Sequence, residues 1–100
     1  EDQKVWKAVG LMLDAPGDPH SVQSLADAVG MSRSTFAKHF SEAYGTGAME
    51  LLRNIRVQRA ANLLCETDLP VKRIADIVGF RSRSAITRMF EKFTGITPQD

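Results

Sequence analysis

Residues 25–31, Leu-Ala-Asp-Ala-Val-Gly-Met, decide the fold because they return at residues 74–80 as Ile-Ala-Asp-Ile-Val-Gly-Phe. The likeness resumes after one inserted residue, Arg81, so that Ser-Arg-Ser occurs at 32–34 and again at 82–84. Two copies are too few for a solenoid. The sequence therefore predicts one supersecondary unit that is duplicated within a small domain.

Each copy has the pattern of two helices joined by a tight turn. In the first copy, Ser21 is suited to cap an apolar-periodic segment that stops at Gly30, since glycine accepts the positive φ of a sharp helix exit. Ser32 then caps a second helix with Phe36 and Phe40 on one face. The second copy repeats this order with Pro70, Ile74, Ala75, Val78, Gly79, Ser82, Ile86, Met89, Phe90, Phe93 and Gly95. This is the signature of a helix-turn-helix, although a hairpin used only for packing stays open for either copy alone.

The segments around the two copies also show helical periodicity. Residues 3–14 predict a leading helix with an apolar face made of Val5, Trp6, Val9, Met12 and Leu13. Residues 14–19 (Asp-Ala-Pro-Gly-Asp-Pro) then end it with turn-forming chemistry. Residues from 48 to 65 contain no Gly or Pro and predict one uninterrupted connecting helix, roughly 27 Å long at 1.5 Å per residue.

These elements predict an all-α fold of about seven helices: two helix-turn-helix subdomains joined by a long connecting helix. We expect residues 1–47 to hold the leading helix and the first subdomain, 48–66 the connecting helix and 67–100 the second subdomain. Thr97-Pro98 has the pattern of a further helix start, truncated by the end of the chain, so we expect a domain excised from a longer protein.

Charge is distributed unevenly along the chain. The net charge is only +1, yet residues 31–40 and 81–90 contain basic side chains and no acid. With Phe36 and Phe40 inward, helical periodicity places Arg33, Ser34, Ala37 and Lys38 on the opposite face. The same argument in the second copy exposes Arg83, Ser84, Thr87 and Arg88. Adjacent major-groove entries lie about 34 Å apart, so the connecting helix could hold two such basic faces near that separation.

The motifs Leu25-Ala26, Val29-Gly30-Met31-Ser32, Ile74-Ala75, Val78-Gly79-Phe80 and Thr97-Pro98 resemble those of the AraC/XylS-type transcriptional regulators. The resemblance covers nearly the whole chain from about residue 5, and its leading segment is most similar to the subgroup with a cupin-like N-terminal domain. It implies sequence-specific binding of double-stranded DNA in bacterial transcription regulation, with the second helix of each copy as recognition helix in adjacent major-groove segments.

The resemblance and the exposed faces together give a set of expected DNA contacts. The base-contacting residues are expected to be Arg33, Ser34, Ala37, Lys38, Arg83, Ser84, Thr87 and Arg88. The phosphate-contacting residues are expected to be Ser32, Thr35, His39, Arg81 and Ser82, although Lys38 and Arg88 could equally bind phosphate. Because the two helices differ in sequence, we expect a non-palindromic site with two elements.

Other residues are expected to be structural. Arg56 lies among apolar residues, so we expect it to make structural hydrogen bonds. We expect Cys65 to be a packed thiol, Trp6 to lie in the core and His20 to lie in a loop. The sequence contains no Gly-rich phosphate loop, metal-ligand cluster or nucleophile–base pair at motif spacing, so we expect no enzyme, cofactor or metal.

The remaining expectations concern partners and location. The alternative function is a helical protein-interaction module that contacts RNA polymerase or another regulator. The resemblance implies that any effector ligand binds a domain outside this chain. Composition and the single cysteine favour a cytoplasmic protein without a membrane span. The expected DNA binding implies that it is associated with the nucleoid.

Overall fold

A computed structural model describes residues 2–80 and 83–94, and this part of the chain consists of α-helices without a strand. The helices are α1 (Asp2–Asp14), α2 (Val22–Ala28), α3 (Arg33–Tyr44), α4 (Ala48–Glu66), α5 (Val71–Val78) and α6 (Arg83–Thr94). In α6 the described side chains are those of residues 84–88 and Glu91. The all-α class, with two helix-turn-helix subdomains joined by one long helix, is confirmed. The predicted helix at Thr97-Pro98 lies outside the described residues.

The chain forms two compact units. The first comprises the residues up to Ala15 together with Pro19–Asn54, and the second comprises Pro16–Asp18 together with the residues from Ile55 onward. Helix α4 therefore contributes its beginning to the first unit and its end to the second. The short segment 16–18 follows α1 in sequence but belongs to the second unit. The predicted subdomain boundaries after residues 47 and 66 stay a prediction.

In the first unit, α1, α2 and α3 pack against one another. Phe36 and Phe40 are fully buried, as predicted, and their ring centroids lie 5.6 Å apart. Tyr44 extends this contact, with its ring centroid 4.8 Å from that of Phe40. Burying each phenylalanine contributes about 1.5–3 kcal/mol. The aromatic face of α3 thus fixes which side of this helix is turned away from solvent.

The buried face of α1 differs from the predicted one. Trp6 is 64% exposed and Leu13 is 48% exposed, so their placement in the core was wrong. The residues of α1 that are buried are Val5, Ala8, Val9 and Met12. These four follow the i, i+3, i+4, i+7 spacing of a single helical stripe, and Trp6 and Leu13 each lie roughly 100° around the helix from the middle of this stripe.

The second unit has its own core, formed by the end of α4 with α5 and α6. Its buried members are Ala60, Val71, Ile74, Ala75, Val78 and Ile86. Leu63, Leu64 and Phe80 pack against this cluster and are partly buried. Cys65 is exposed, so its prediction as a packed thiol was wrong. The buried side of α4 passes through Ala60 and Leu64, and Cys65 lies roughly 100° further around the helix.

Arg56 makes structural hydrogen bonds, as predicted. Its Nε donates to the carbonyl oxygen of Pro16 at 2.8 Å, and its Nη2 donates to that of Asp18 at 2.9 Å. The side chain is half-buried, and desolvation lowers the pKa of Arg56. The predicted loop residue His20 follows this segment, and its Nε2 lies 2.8 Å from the carbonyl oxygen of Ala15.

Candidate nucleic-acid interface

The duplicated sequence folds into a duplicated turn. In the first copy, the Met31 N–H donates to the carbonyl of Ala26 at 2.9 Å, and Gly30 has φ 72°. In the second copy, the Phe80 N–H donates to the carbonyl of Ala75 at 2.9 Å, and Gly79 has φ 89°. Both glycines occupy the left-handed region that favours this residue. The same backbone device therefore directs the chain into α3 in one copy and toward α6 in the other.

The helix that starts the first helix-turn-helix is capped as the sequence predicts, whereas Pro70 at the start of the second makes no side-chain cap. Ser21 caps α2: its Oγ accepts from the N–H of Ser24 at 3.0 Å, while the Oγ of Ser24 accepts from the N–H of Ser21 at 2.9 Å. This reciprocal pair is a capping box. Pro70 precedes α5, where its missing N–H leaves no helical bond unmade.

Ser32 begins the predicted recognition helix of the first unit. Its Oγ accepts from the N–H of Thr35 at 3.2 Å, which fixes the first turn of α3. Because this N-cap sets where the helix starts, it also sets which residues lie in the N-terminal turns, the part of a recognition helix that reaches furthest into a groove.

Most of the predicted contact residues at the start of α3 are exposed to solvent. Those that are exposed are Ser32, Arg33, Ser34, Thr35, Ala37 and Lys38. His39 is half-buried, and its Nδ1 lies 4.0 Å from Oε1 of Glu42. Glu42, near the C-terminal end, is the acidic residue of this helix. The first two turns of α3 therefore present two cations, short hydroxyls and a methyl group, without a carboxylate.

The predicted contact residues of α6 are described in part. Ser84 and Arg88 are exposed, Thr87 is half-buried, and Ile86 between them is fully buried. The side chain of Arg83 lies outside the described part of the structure, as do Arg81 and Ser82. The described face of α6 thus combines a hydroxyl and a guanidinium on the side opposite the core.

This chemistry suits the edges of bases and the phosphates of duplex DNA. A guanidinium can donate two hydrogen bonds to O6 and N7 of guanine, and a serine or threonine hydroxyl can donate or accept. An ammonium binds phosphate as a point charge. Nothing in the described residues resembles a metal centre, since no group of three or more potential metal ligands occurs there. Nor does any helix in the described ranges have the length and apolar character to cross a membrane.

Known proteins share both the sequence and the fold. A family model described as a helix-turn-helix domain matches residues 25–100. The crystal structure of the DNA-binding domain of AdpA, solved in complex with a target DNA, has a TM-score of 0.89 at 31% identity; the match covers 94% of this chain and 85% of that one. An AraC-type regulator from Chromobacterium violaceum also gives a TM-score of 0.89, at 29% identity, over 97% of this chain and 87% of that one.

The chain belongs to the AraC-type helix-turn-helix family. Among the relatives, the RCS-specific HTH-type transcriptional activator RclR of Escherichia coli K12 is 39% identical over 87 residues, which are 87% of this chain and 31% of RclR. A putative AraC-like transcription regulator of Streptomyces antibioticus is 34% identical over 99 residues, which are 99% of this chain and 33% of that protein. The chain thus spans about a third of the curated relatives that it matches.

Family membership confirms the resemblance and gives the chain its function. An AraC-type domain of this kind serves sequence-specific DNA binding in transcription regulation. The subgroup with a cupin-like N-terminal domain stays a prediction, and so does every individual DNA contact. The sequence pattern missed one residue of structural importance to this AraC-type domain, Gly17, whose surroundings are described below. Its only signal was its place in a segment rich in turn-forming residues.

Proposed function

We propose that this AraC-type domain binds a non-palindromic duplex DNA site with two elements, using α3 and α6 as recognition helices in adjacent major-groove segments. The observation that carries the proposal is the duplicated turn, since Gly30 and Gly79 share the same backbone geometry and each precedes a helix with an exposed basic residue. The protein of which it forms part acts as a bacterial transcription regulator. The DNA complex of the AdpA domain, which has the same fold, supports this reading.

Four residues in each recognition helix are proposed to face the bases. In α3 these are Arg33, Ser34, Ala37 and Lys38, and in α6 they are Ser84, Thr87 and Arg88, together with Arg83 from the sequence pattern. The arginines provide the strongest discrimination, because a bidentate pair with guanine is worth about 1–3 kcal/mol. Ala37 offers a methyl contact to thymine, whereas Thr87 offers either a methyl or a hydroxyl. This difference between the copies supports unequal elements.

The remaining contacts are proposed to fall on the backbone of DNA. Ser32, Thr35 and His39 lie at or beside the exposed face of α3, and Arg81 and Ser82 precede α6 in sequence. Contacts of this kind hold the protein in register without carrying sequence information. Lys38 and Arg88 can take either role, because both bear a cation on a long side chain.

The wider role of the protein follows from the same proposal. We infer no catalytic activity and no cofactor for this domain, a location in the cytoplasm with the nucleoid, and an effector site, if any, in another domain. We also propose RNA polymerase as a second partner. Contact with polymerase or another regulator in place of DNA is the alternative function, but no described surface favours it over the basic faces.

Selection from a random duplex library, followed by a salt titration of the selected duplex, tests the proposal. We expect an enriched motif with two unequal elements about one helical turn apart. The logarithm of the affinity should fall with the logarithm of the salt concentration, with a slope near −0.9 per phosphate contacted. A shuffled duplex of the same length and composition is the control. No preference over this control, together with a flat salt dependence, would contradict the proposal and favour the protein-interaction alternative.

A further inference from the structure

The guanidinium of Arg56 joins three pieces of backbone within the second unit. It donates to the carbonyl of Pro16 at 2.8 Å through Nε and to that of Asp18 at 2.9 Å through Nη2. On another side it lies against the turn of the second helix-turn-helix, since a Cβ placed on Gly79 would be 3.1 Å from its Cζ, Nε and Nη2 atoms. One side chain of α4 thus contacts both the 16–18 segment and the turn.

The 16–18 segment also lies directly against the end of α5. A Cβ placed on Gly17 would be 2.3 Å from the carbonyl oxygen of Ile77 and 3.6 Å from the backbone nitrogen of Gly79. The backbone of Gly17 is therefore in close contact with the backbone that leads out of α5. Arg56 and this contact together fix residues 16–18 on the second unit from two directions.

The chemistry of Arg56 suits a permanent contact of this kind. A charge-assisted hydrogen bond is shorter and roughly twice as strong as a neutral one, and Arg56 makes two with backbone carbonyls that no substitution at positions 16 or 18 removes. Burial lowers the pKa of Arg56, but an arginine stays charged in proteins. A lysine cannot reproduce the contact, because its ammonium lacks the fixed fork that addresses two carbonyls at once.

The covalent path of the chain makes this contact consequential. Residues 16–18 connect α1 to α2, which both belong to the first unit. The chain therefore passes from the first unit to the second and back between Ala15 and Pro19, and passes again within α4 between Asn54 and Ile55. The second unit is connected to the first through the fixed segment as well as through α4.

We propose that Arg56 is a positioning residue for DNA binding, which restricts the spacing between the two DNA elements that the domain accepts by holding the 16–18 segment on the second unit. The inference rests on the proposed function, because it presupposes two elements. A second connection through residues 16–18 removes conformational freedom that the connecting helix alone would leave to the chain. Releasing these residues from the second unit allows the domain to bind DNA elements at a wider range of separations, so its preference for one spacing becomes weaker.

The test compares the 100-residue chain with its Arg56→Met and Arg56→Lys variants on duplexes of altered spacing. The starting duplex is the one that the unaltered chain selects from a random library, and one to five base pairs are then inserted between its elements. Arg59→Met is the matched control, since Arg59 is an exposed arginine on the same helix. We expect insertion to cost the unaltered chain and the control at least about tenfold in affinity, the size of one lost base-pair contact. For both Arg56 variants, the same insertions should reduce the affinity by a factor that is several-fold smaller than for the unaltered chain.

A second measurement needs no DNA. Cleavage of the native protein at Asp18 by a protease that cuts before aspartate should be slow for the unaltered chain and for Arg59→Met, but clearly faster for both Arg56 variants at equal helical content. Spacing profiles that match the control would overturn the spacing role, and equal cleavage rates would overturn the fixation of residues 16–18. An unaltered chain that selects no duplex would instead overturn the proposed function, together with the spacing role that depends on it.

Discussion

Replacing Gly17 by alanine is expected to destabilise the domain although no feature of its backbone angles demands glycine. Glycines with positive φ occur at positions 30, 45 and 79, and Gly17 is not among them. The reason lies in its surroundings, since a Cβ at this position would be 2.3 Å from the carbonyl oxygen of Ile77 and 3.2 Å from its carbonyl carbon. Real Cβ contacts are essentially never shorter than 3.0 Å, so the two backbones must separate by about 0.7 Å, the difference between 3.0 and 2.3 Å.

The size of the effect follows from what has to move. The obstructing atoms belong to the backbone at the end of α5, which cannot rotate away as the tip of a side chain could. Overpacking of this kind typically costs about 1–3 kcal/mol. Alanine also restricts the unfolded chain, which offsets about 0.4–1 kcal/mol of that loss. We therefore expect a net decrease of about 1–2 kcal/mol in the free energy of unfolding, or roughly five- to thirtyfold in the folding equilibrium.

Urea unfolding followed by circular dichroism measures this decrease. With a slope of about 1–3 kcal/mol per molar urea, the midpoint should fall by about 0.3–2 M. Gly10→Ala is the matched control, because Gly10 lies within α1 and a Cβ there meets nothing within 4 Å. Its midpoint should rise, since alanine in a helix is favoured over glycine by about 0.5–1 kcal/mol. A Gly17→Ala midpoint equal to or above that of the unaltered chain would refute the close approach.

Three further predictions concern the core, a helix cap and the DNA contacts. Phe40→Ala should lower the free energy of unfolding by about 3–5 kcal/mol, because Phe40 is fully buried; Trp6→Ala should change it by less than about 0.5 kcal/mol, because Trp6 is 64% exposed. Equal effects in urea unfolding would contradict this assignment of the core. Ser21→Ala should cost about 1 kcal/mol through loss of the capping box, and an unchanged urea midpoint would disprove the contribution of the cap. Arg83→Ala should change the selected DNA motif at specific base pairs, whereas Lys38→Ala, if it binds phosphate, should weaken all duplexes alike and reduce the salt slope by about 1. A motif that is unaltered in Arg83→Ala would remove this arginine from base recognition.

The internal repeat made most of the fold predictable. Ser21, Gly30, Ser32 and Gly79 could be assigned from sequence because each acts locally: a hydroxyl accepts from an N–H three residues later, and glycine takes a left-handed angle. The burial of Phe36 and Phe40 followed from their spacing on a helix. These are properties of one element and its nearest neighbours in the chain, which is why a single sequence suffices to find them.

Properties that depend on which face of a helix packs against another helix, or contacts DNA, were harder to predict. Trp6 and Leu13 are apolar and close to the stripe of Val5 and Met12, but α1 is buried along one stripe only, and periodicity with five apolar residues does not decide between neighbouring stripes. Cys65 posed the same problem at the end of α4. For individual DNA contacts, exposure is necessary but does not separate a base contact from a phosphate contact.

The 16–18 segment was the least predictable feature. Its composition indicates that α1 ends there, but turn-forming residues carry no information about the surface on which the turn lies. Arg56 stands 40 positions away from Pro16 in the sequence, and nothing local to either residue indicates the other. The expectation that Arg56 makes structural hydrogen bonds was right, yet its acceptors could be identified only from the folded chain.

The interleaved path of the chain has a consequence for building hybrid regulators. Exchanging helix-turn-helix modules between related proteins at a junction near residue 47 would take Arg56 from one parent and residues 16–18 from the other. The glycine that allows close approach to Ile77 would then face a foreign α5. A hybrid that inherits residues 16–18 from the same parent as its second module keeps the contacts of this segment with Arg56 and with the end of α5. The unit of exchange in this domain is therefore discontinuous in the gene, although each recognition helix is encoded in one piece.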